Sequence, residues 1–97
     1  MEFRFDDPKL ELLYSTGGGP LRTKLSEAIV RQFFKVVGNI DAATDERELR
    51  ALKSRRFEKL SGDLAGRYSM RLNDQFRLVF KFDDKVLVIE EIKDYHR

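Results

Sequence analysis

The chain has 97 residues, read as a single domain over 1–97, long enough for one modest core and too short for two. With 41% hydrophobic and 37% charged residues and no apolar run of membrane-spanning length, it reads as a well-solvated globular protein, cytoplasmic by default and without a membrane partner. Zero cysteines and one histidine exclude disulfides, thiolate chemistry and a recognisable metal-ligand spacing, so any catalysis is expected to need no metal or cofactor. The net charge of +2 permits a nucleic-acid partner without requiring one.

In chain order, Glu2-Phe3-Arg4-Phe5 alternates and predicts a short edge strand with Phe3 and Phe5 turned into the core. Asp7-Pro8 is a helix-start signal: the carboxylate caps free amides and the proline is already set at a helical φ. Leu10, Leu13 and Tyr14 supply one or two amphipathic turns before Ser15 to Gly19 break the pattern. The three consecutive glycines lack the lysine and the strand-and-helix context of a phosphate-binding loop and read as a flexible connector. Pro20 is predicted to open the longest helix, whose stripe is Leu21, Leu25, Ala28, Ile29, Phe33, Val36 and Val37. Gly38 is its expected stop, followed by a loop over 39–44. Asp45 and Glu48 form a D-x-x-E start for a short helix carrying Leu49 and Leu52. The basic run Lys53-Ser54-Arg55-Arg56 at its C-terminal end reads as charge that suits the helix dipole.

Phe57 to Leu60 is expected to be a strand, and the stretch from Gly66 to His96 reads as an antiparallel three-stranded meander with a reactive tail. Taking Asn73-Asp74-Gln75 as a three-residue loop sets Leu72 opposite Phe76, Met70 opposite Leu78 and Tyr68 opposite Phe80, so the apolar faces coincide. A two-residue turn at Asp83-Asp84 then sets Phe80 against Leu87 and Leu78 against Ile89. The other face carries Arg67, Arg71, Arg77 and Lys81, with Arg71 and Arg77 directly opposite each other. Like charges facing across a ladder disfavour the sheet. Either Glu90, which this register sets beside Arg77, or a phosphate from outside is expected to offset them. The predicted class is α+β: a small, mostly antiparallel twisted sheet with the N-terminal helices packed on one face.

Three blocks, Leu60-Ser61-Gly62-Asp63, Gly66 to Arg71 and Asn73-Asp74-Gln75-Phe76-Arg77-Leu78, closed by Asp94-Tyr95-His96, resemble the HigB group of the RelE/ParE toxin superfamily. The resemblance spans most of the chain and is strongest from Phe57 onward. It implies a RelE-like fold and a toxin that enters the ribosomal A site and cleaves mRNA. It also implies a HigA-type helix-turn-helix antitoxin as partner, with operator DNA reached only through that antitoxin. The family's functional residues carry over to Asp94, Tyr95, His96 and Arg77. Two departures matter: Glu58 stands where histidine or glutamate is usual, and Ser61 where lysine is usual. Lys59 is the nearest substitute cation, although strand alternation sets it on the face opposite Glu58.

A metal-free ribonuclease lets the ribose 2′-OH attack its own neighbouring phosphate. A base takes the 2′ proton, cations hold the phosphorane oxygens, and an acid protonates the leaving oxygen. Arg77, helped by Arg71 or Arg67, is expected to bind the phosphate. His96, whose unperturbed pKa of about 6.5 lies near working pH, is the general acid or base. Asp94 is expected to orient it, Tyr95 to stack on a base or assist proton transfer, and Glu58 to serve as a further base candidate. Two other readings share the fold: a gyrase-poisoning toxin of the ParE branch, against which the intact Asp-Tyr-His tail stands, and a non-catalytic homologue kept for complex formation, which Ser61 leaves open.

Overall fold

The computed structural model describes residues 1–95. Five strands, β1 (Phe3–Phe5), β2 (Glu58–Lys59), β3 (Tyr68–Arg71), β4 (Phe76–Asp83) and β5 (Val86–Asp94), form one sheet in the order β1-β5-β4-β3-β2. All neighbours run antiparallel except β1 and β5, which are parallel. The first strand therefore closes against the last, fixed by the Leu87 amide donating to the Glu2 carbonyl (3.0 Å) and the Asp6 amide to the Ile89 carbonyl (2.8 Å). Between β1 and β2 lie α1 (Pro8–Thr16), α2 (Pro20–Lys24), α3 (Glu27–Ala42) and α4 (Glu46–Arg50). This is the expected α+β arrangement, with Phe3 and Phe5 packed against the core.

The core lies between the helices and one sheet face. From α3 come Ile29, Val30, Phe33, Val36, Val37 and Ile40; facing them are Met70, Leu72, Leu78, Phe80, Leu87 and Ile89, all at most 3% exposed. Burial of each such large side chain contributes roughly 1.5–3 kcal/mol. Asp7 caps α1 as expected, its carboxylate accepting from the Lys9 amide (2.9 Å). The α1 helix runs on through Thr16, and Gly17 ends it in the left-handed region at φ 74°.

The middle of the chain departs from the sequence expectation at two places. Pro20 opens only a five-residue helix; Leu25 is extended, and Ser26 starts α3 afresh by accepting from the Ile29 amide (3.2 Å). Gly38 does not stop α3, which continues four residues further, so the expected 39–44 loop is largely helical. Ile40, fully buried, outweighs the roughly 1 kcal/mol that a glycine costs inside a helix. The D-x-x-E signal does start α4: Asp45 accepts from the Arg47 amide (2.9 Å), and the Glu48 carboxylate accepts from the Thr44 amide.

In the meander, the β3–β4 register is the predicted one, with Tyr68 against Phe80, Met70 against Leu78 and Arg71 against Arg77. The β4–β5 register is not. The turn lies at Asp84-Lys85, with Asp84 at φ 58°, so Phe80 meets Ile89 rather than Leu87. A bulge at Val79/Phe80 then shifts the partners again, setting Leu78 against Ile92 and Arg77 against Lys93. Glu90, expected beside Arg77, instead pairs with Arg67 (2.7 Å) and Lys81 (3.6 Å). The two-residue offset keeps the apolar face coherent, which is why the pattern alone does not expose it.

Candidate functional site

The sheet face away from the helices is not bare. Alternation turns Ser69 and Arg71 of β3 and Arg77 of β4 to this side, and Ser69 and Arg77 are buried, Arg77 to 9% exposure. The Arg77 guanidinium is held at two points: Nε donates to Ser69 Oγ (2.7 Å) and Nη2 to the Arg56 carbonyl. Its Nη1 has no hydrogen-bond partner among the described residues, leaving one edge of the fork available.

Arg56 reaches that position because it adopts a left-handed conformation (φ 46°) at the end of a single 3₁₀ turn, Lys53–Arg55. The next residue, Phe57, packs against Tyr68 and Phe80 on the core side (ring centroids 5.5 and 5.7 Å apart) and beneath the Arg50 guanidinium (4.4 Å). With Phe57 anchored there, its neighbours face the other way. Glu58, paired with Ser69 across the β2–β3 ladder, brings its carboxylate to 3.8 Å from Arg77 Nη2.

The tail is fixed from the far side of β4. The Tyr95 amide donates to the Gln75 carbonyl (2.7 Å), and the Gln75 side-chain amide donates to Asp94 (3.1 Å). Asn73 Oδ1 holds the turn in shape by accepting from the Gln75 and Phe76 amides (2.9 and 2.7 Å). The Tyr95 ring then stands 5.9 Å from the Arg77 guanidinium.

These elements enclose an open cleft of about 560 Å³ lined by Arg56, Glu58, Arg71, Gln75, Arg77 and Tyr95, with Asn73 and Asp74 at the turn. The expected repulsion between Arg71 and Arg77 is answered separately on each side. Arg71 pairs with Asp74 in the turn, and Arg77 is held by Ser69, the Arg56 carbonyl and the more distant Glu58. Burial pushes the Arg77 pKa below its usual value, Glu58 and Tyr95 oppose this, and the neighbouring Arg56 and Arg71 charges add to it. A guanidinium nevertheless stays protonated. The cleft therefore holds a charge that is costly to bury and that an entering anion would stabilise.

Of the expected site residues, the structure brings together Arg77, Arg71, Glu58 and Tyr95. Asp94 lies beside the cleft, exposed and bonded to Gln75, and is not part of its lining. Arg67, four residues before Arg71 on the same face, is engaged by Glu90. Lys59 stands opposite Tyr68, on the alternation that carries the core, and neither it nor Ser61 lines the cleft. His96 lies outside the described residues, and with it the expected convergence of its imidazole on Arg77. Ser69, Arg56 and Gln75 were not singled out in the sequence. Ser69 was within reach: in the correctly predicted β3–β4 register it is the diagonal neighbour of Arg77. Arg56 depends on a left-handed backbone that the basic run Lys53 to Arg56 does not announce.

Comparison with known proteins agrees with this architecture. The family model of HigB, a RelE-like toxin of a type II toxin-antitoxin system, matches residues 3–96. Toxin HigB-1 of Vibrio cholerae serotype O1 is 35% identical over 86 residues, covering 89% of this chain and 88% of its own. Among solved structures, the YoeB-YefM complex from Staphylococcus aureus aligns at a TM-score of 0.61 with 24% identity over 100% of this chain and 98% of that one. YafQ from E. coli aligns at 0.58 with 10% identity, over 97% and 92% respectively, likenesses that speak for the fold. The Arg77 cleft thus sits in a RelE-like sheet, and this chain belongs to the HigB-like toxins of type II toxin-antitoxin systems.

Proposed function

We propose that the protein is a ribosome-dependent mRNA endoribonuclease that cuts translated mRNA in the A site through attack of the ribose 2′-OH on the adjacent phosphate. The observation that carries this reading is the buried Arg77 guanidinium, locked by Ser69 and the Arg56 carbonyl with one edge unengaged among the described residues, beside the Glu58 carboxylate and the Tyr95 ring. The fork of Arg77 and the Arg71 charge hold the phosphate oxygens as negative charge develops on them. Glu58, an acceptor when ionised, takes the 2′ proton, and Tyr95 stacks on the base next to the cut. His96 protonates the 5′ oxygen as it leaves, and Asp94 orients the tail. Products are a 2′,3′-cyclic phosphate and a free 5′-OH, so no water or metal enters the balance of the first step.

An antitoxin is the partner of a type II toxin, and the solved relatives include toxin-antitoxin complexes of YoeB with YefM and of DinJ with YafQ. For this chain we propose a HigA-type helix-turn-helix antitoxin, with operator DNA contacted through it. The cytoplasm is the site of action, and no helix of the described residues is long and apolar enough to cross a membrane.

Expression of the toxin alone is expected to arrest growth, with primer extension showing A-site breaks that His96→Ala no longer produces. Growth arrest with intact transcripts and altered DNA supercoiling would replace this reading with gyrase poisoning. Normal growth of cells that accumulate the toxin would leave a binding role alone.

A further inference from the structure

A second cleft of about 430 Å³ opens beside the first, between the start of α3, the 3₁₀ turn at Lys53–Arg55 and the end of β3. Its size lies within the roughly 300–1,000 Å³ of small-ligand clefts. Arg71 and Asn73 line both clefts, so the two adjoin at the end of the β3–β4 hairpin.

Its chemistry is mixed in a particular way. Ile29 and Leu72 form an apolar floor, with the exposed Ala28 methyl beside them. Arg55 is half-buried, and its Nη1 donates to the Arg71 carbonyl (3.3 Å), which fixes the guanidinium at the cleft. No carboxylate among the described residues lies within ion-pair distance of Arg55, and its pKa is lowered by burial and then by the Arg71 charge. Two guanidinium groups therefore share one wall, and among the described residues the only carboxylate paired with either is Asp74, almost wholly exposed at the hairpin tip. At the rim, the Gln32 amide makes no hydrogen bond among the described residues. Asn73 uses its carbonyl oxygen in the turn, and its NH₂ group makes no hydrogen bond among the described residues.

We propose that this second cleft holds a nucleotide of the RNA strand flanking the scissile phosphate. Its phosphate lies between the guanidinium groups of Arg55 and Arg71, its base lies over Ala28, Ile29 and Leu72, and its base edge meets the Gln32 and Asn73 amides. The inference rests on the nuclease reading of the first cleft and extends the strand beyond it. Three features favour a nucleotide over a bare anion or a peptide: the shared wall with the Arg77 cleft, two guanidinium groups faced by one exposed carboxylate among the described residues, and amides able to donate to and accept from a base edge.

The test is steady-state cleavage of mRNA on programmed ribosomes by Arg55→Ala and Gln32→Ala, with folding checked by circular dichroism. Gln32→Ala removes an amide that makes no hydrogen bond among the described residues and so guards against an Arg55→Ala chain that merely misfolds. Loss of the Arg55 phosphate contact is expected to raise KM about tenfold while kcat stays within about twofold. Gln32→Ala is expected to change the codon preference of the cuts. Wild-type KM and wild-type codon pattern in both folded variants would overturn the second subsite and leave the nuclease standing. Unchanged cleavage with weakened antitoxin binding would likewise overturn it, assigning the cleft to the protein partner. If the wild-type toxin cleaves nothing, titration with a 2′-O-methyl trinucleotide decides the matter. A shifted Ala28 methyl NMR signal would uphold the second cleft without the nuclease, and an unmoved one would overturn both.

Discussion

The open face of the sheet carries two clusters of cations that the sequence pattern makes look alike. At one end, Arg67 and Lys81 are bridged by Glu90, whose side chain is only 12% exposed. At the other, Arg77 and Arg71 face each other across the ladder. Their carboxylates are Glu58, 53% exposed and beyond hydrogen-bonding distance, and Asp74, 97% exposed. The first cluster is bridged from within by a single, half-buried acid. In the second, Arg77 is oriented by a hydroxyl and a backbone carbonyl, and the acids facing the pair are exposed to solvent, which screens them. Neutral acceptors fix the direction of a guanidinium without cancelling its field, which suits a group that must bind an anion.

Geometry therefore matters at one end and charge alone at the other. Arg77→Lys keeps the charge but cannot span Ser69 and the Arg56 carbonyl, so cleavage on ribosomes is expected to fall about 100-fold. Arg67→Lys, which still pairs with Glu90, is expected to stay within about threefold of wild type in the same assay. The ordering reverses for stability. Glu90→Ala strands two cations and is expected to cost about 1–2 kcal/mol in urea unfolding, a figure reduced because Arg67 and Lys81 are both more than one-third exposed. Asp74→Ala is expected to move stability by less than about 0.5 kcal/mol.

A control away from both clusters is Gly38→Ala. An added Cβ there meets no atom within 4 Å in mid-helix, so the variant is expected to gain about 0.5–1 kcal/mol with cleavage unchanged. The smallest effect concerns acid. Hydrogen bonds hold the Asp45 and Glu48 carboxyls below their usual pKa values, Asp45 chiefly through the Arg47 side chain and Glu48 through the Thr44 amide. Their contribution is present above the ordinary carboxylate range and lost as pH falls through the lowered values. Glu48→Gln is therefore expected to lower Tm slightly near neutral pH and to converge with wild type on acidification, which flattens the decline.

Much of this was legible from residues. Alternation in Tyr68 to Leu72 and Phe76 to Phe80 gave the correct β3–β4 register, and with it the facing of Arg71 and Arg77, because a one-residue slip would have exposed the core side. The β4–β5 pairing failed because its true register differs by two residues near the turn, and a two-residue slip preserves the faces. The further shift at the Val79/Phe80 bulge is equally silent in an apolar pattern. Gly38 misled for a related reason: glycine permits a helix stop but does not compel one when Ile40 is waiting to be buried. Within the site, side-chain types were readable while their supports were not. The carbonyl that orients Arg77 comes from Arg56, and a backbone acceptor leaves no mark in the identity of its residue.

The most direct test of the Arg77 cleft as the cutting site is single-turnover cleavage of one defined mRNA on programmed ribosomes, with analysis of the new ends, for wild type and Arg77→Ala side by side. Wild type is expected to cut within the A-site codon and leave a 2′,3′-cyclic phosphate facing a free 5′-OH, while Arg77→Ala leaves the mRNA intact. An uncut message with wild type, or wild-type cutting by a folded Arg77→Ala, would contradict the account.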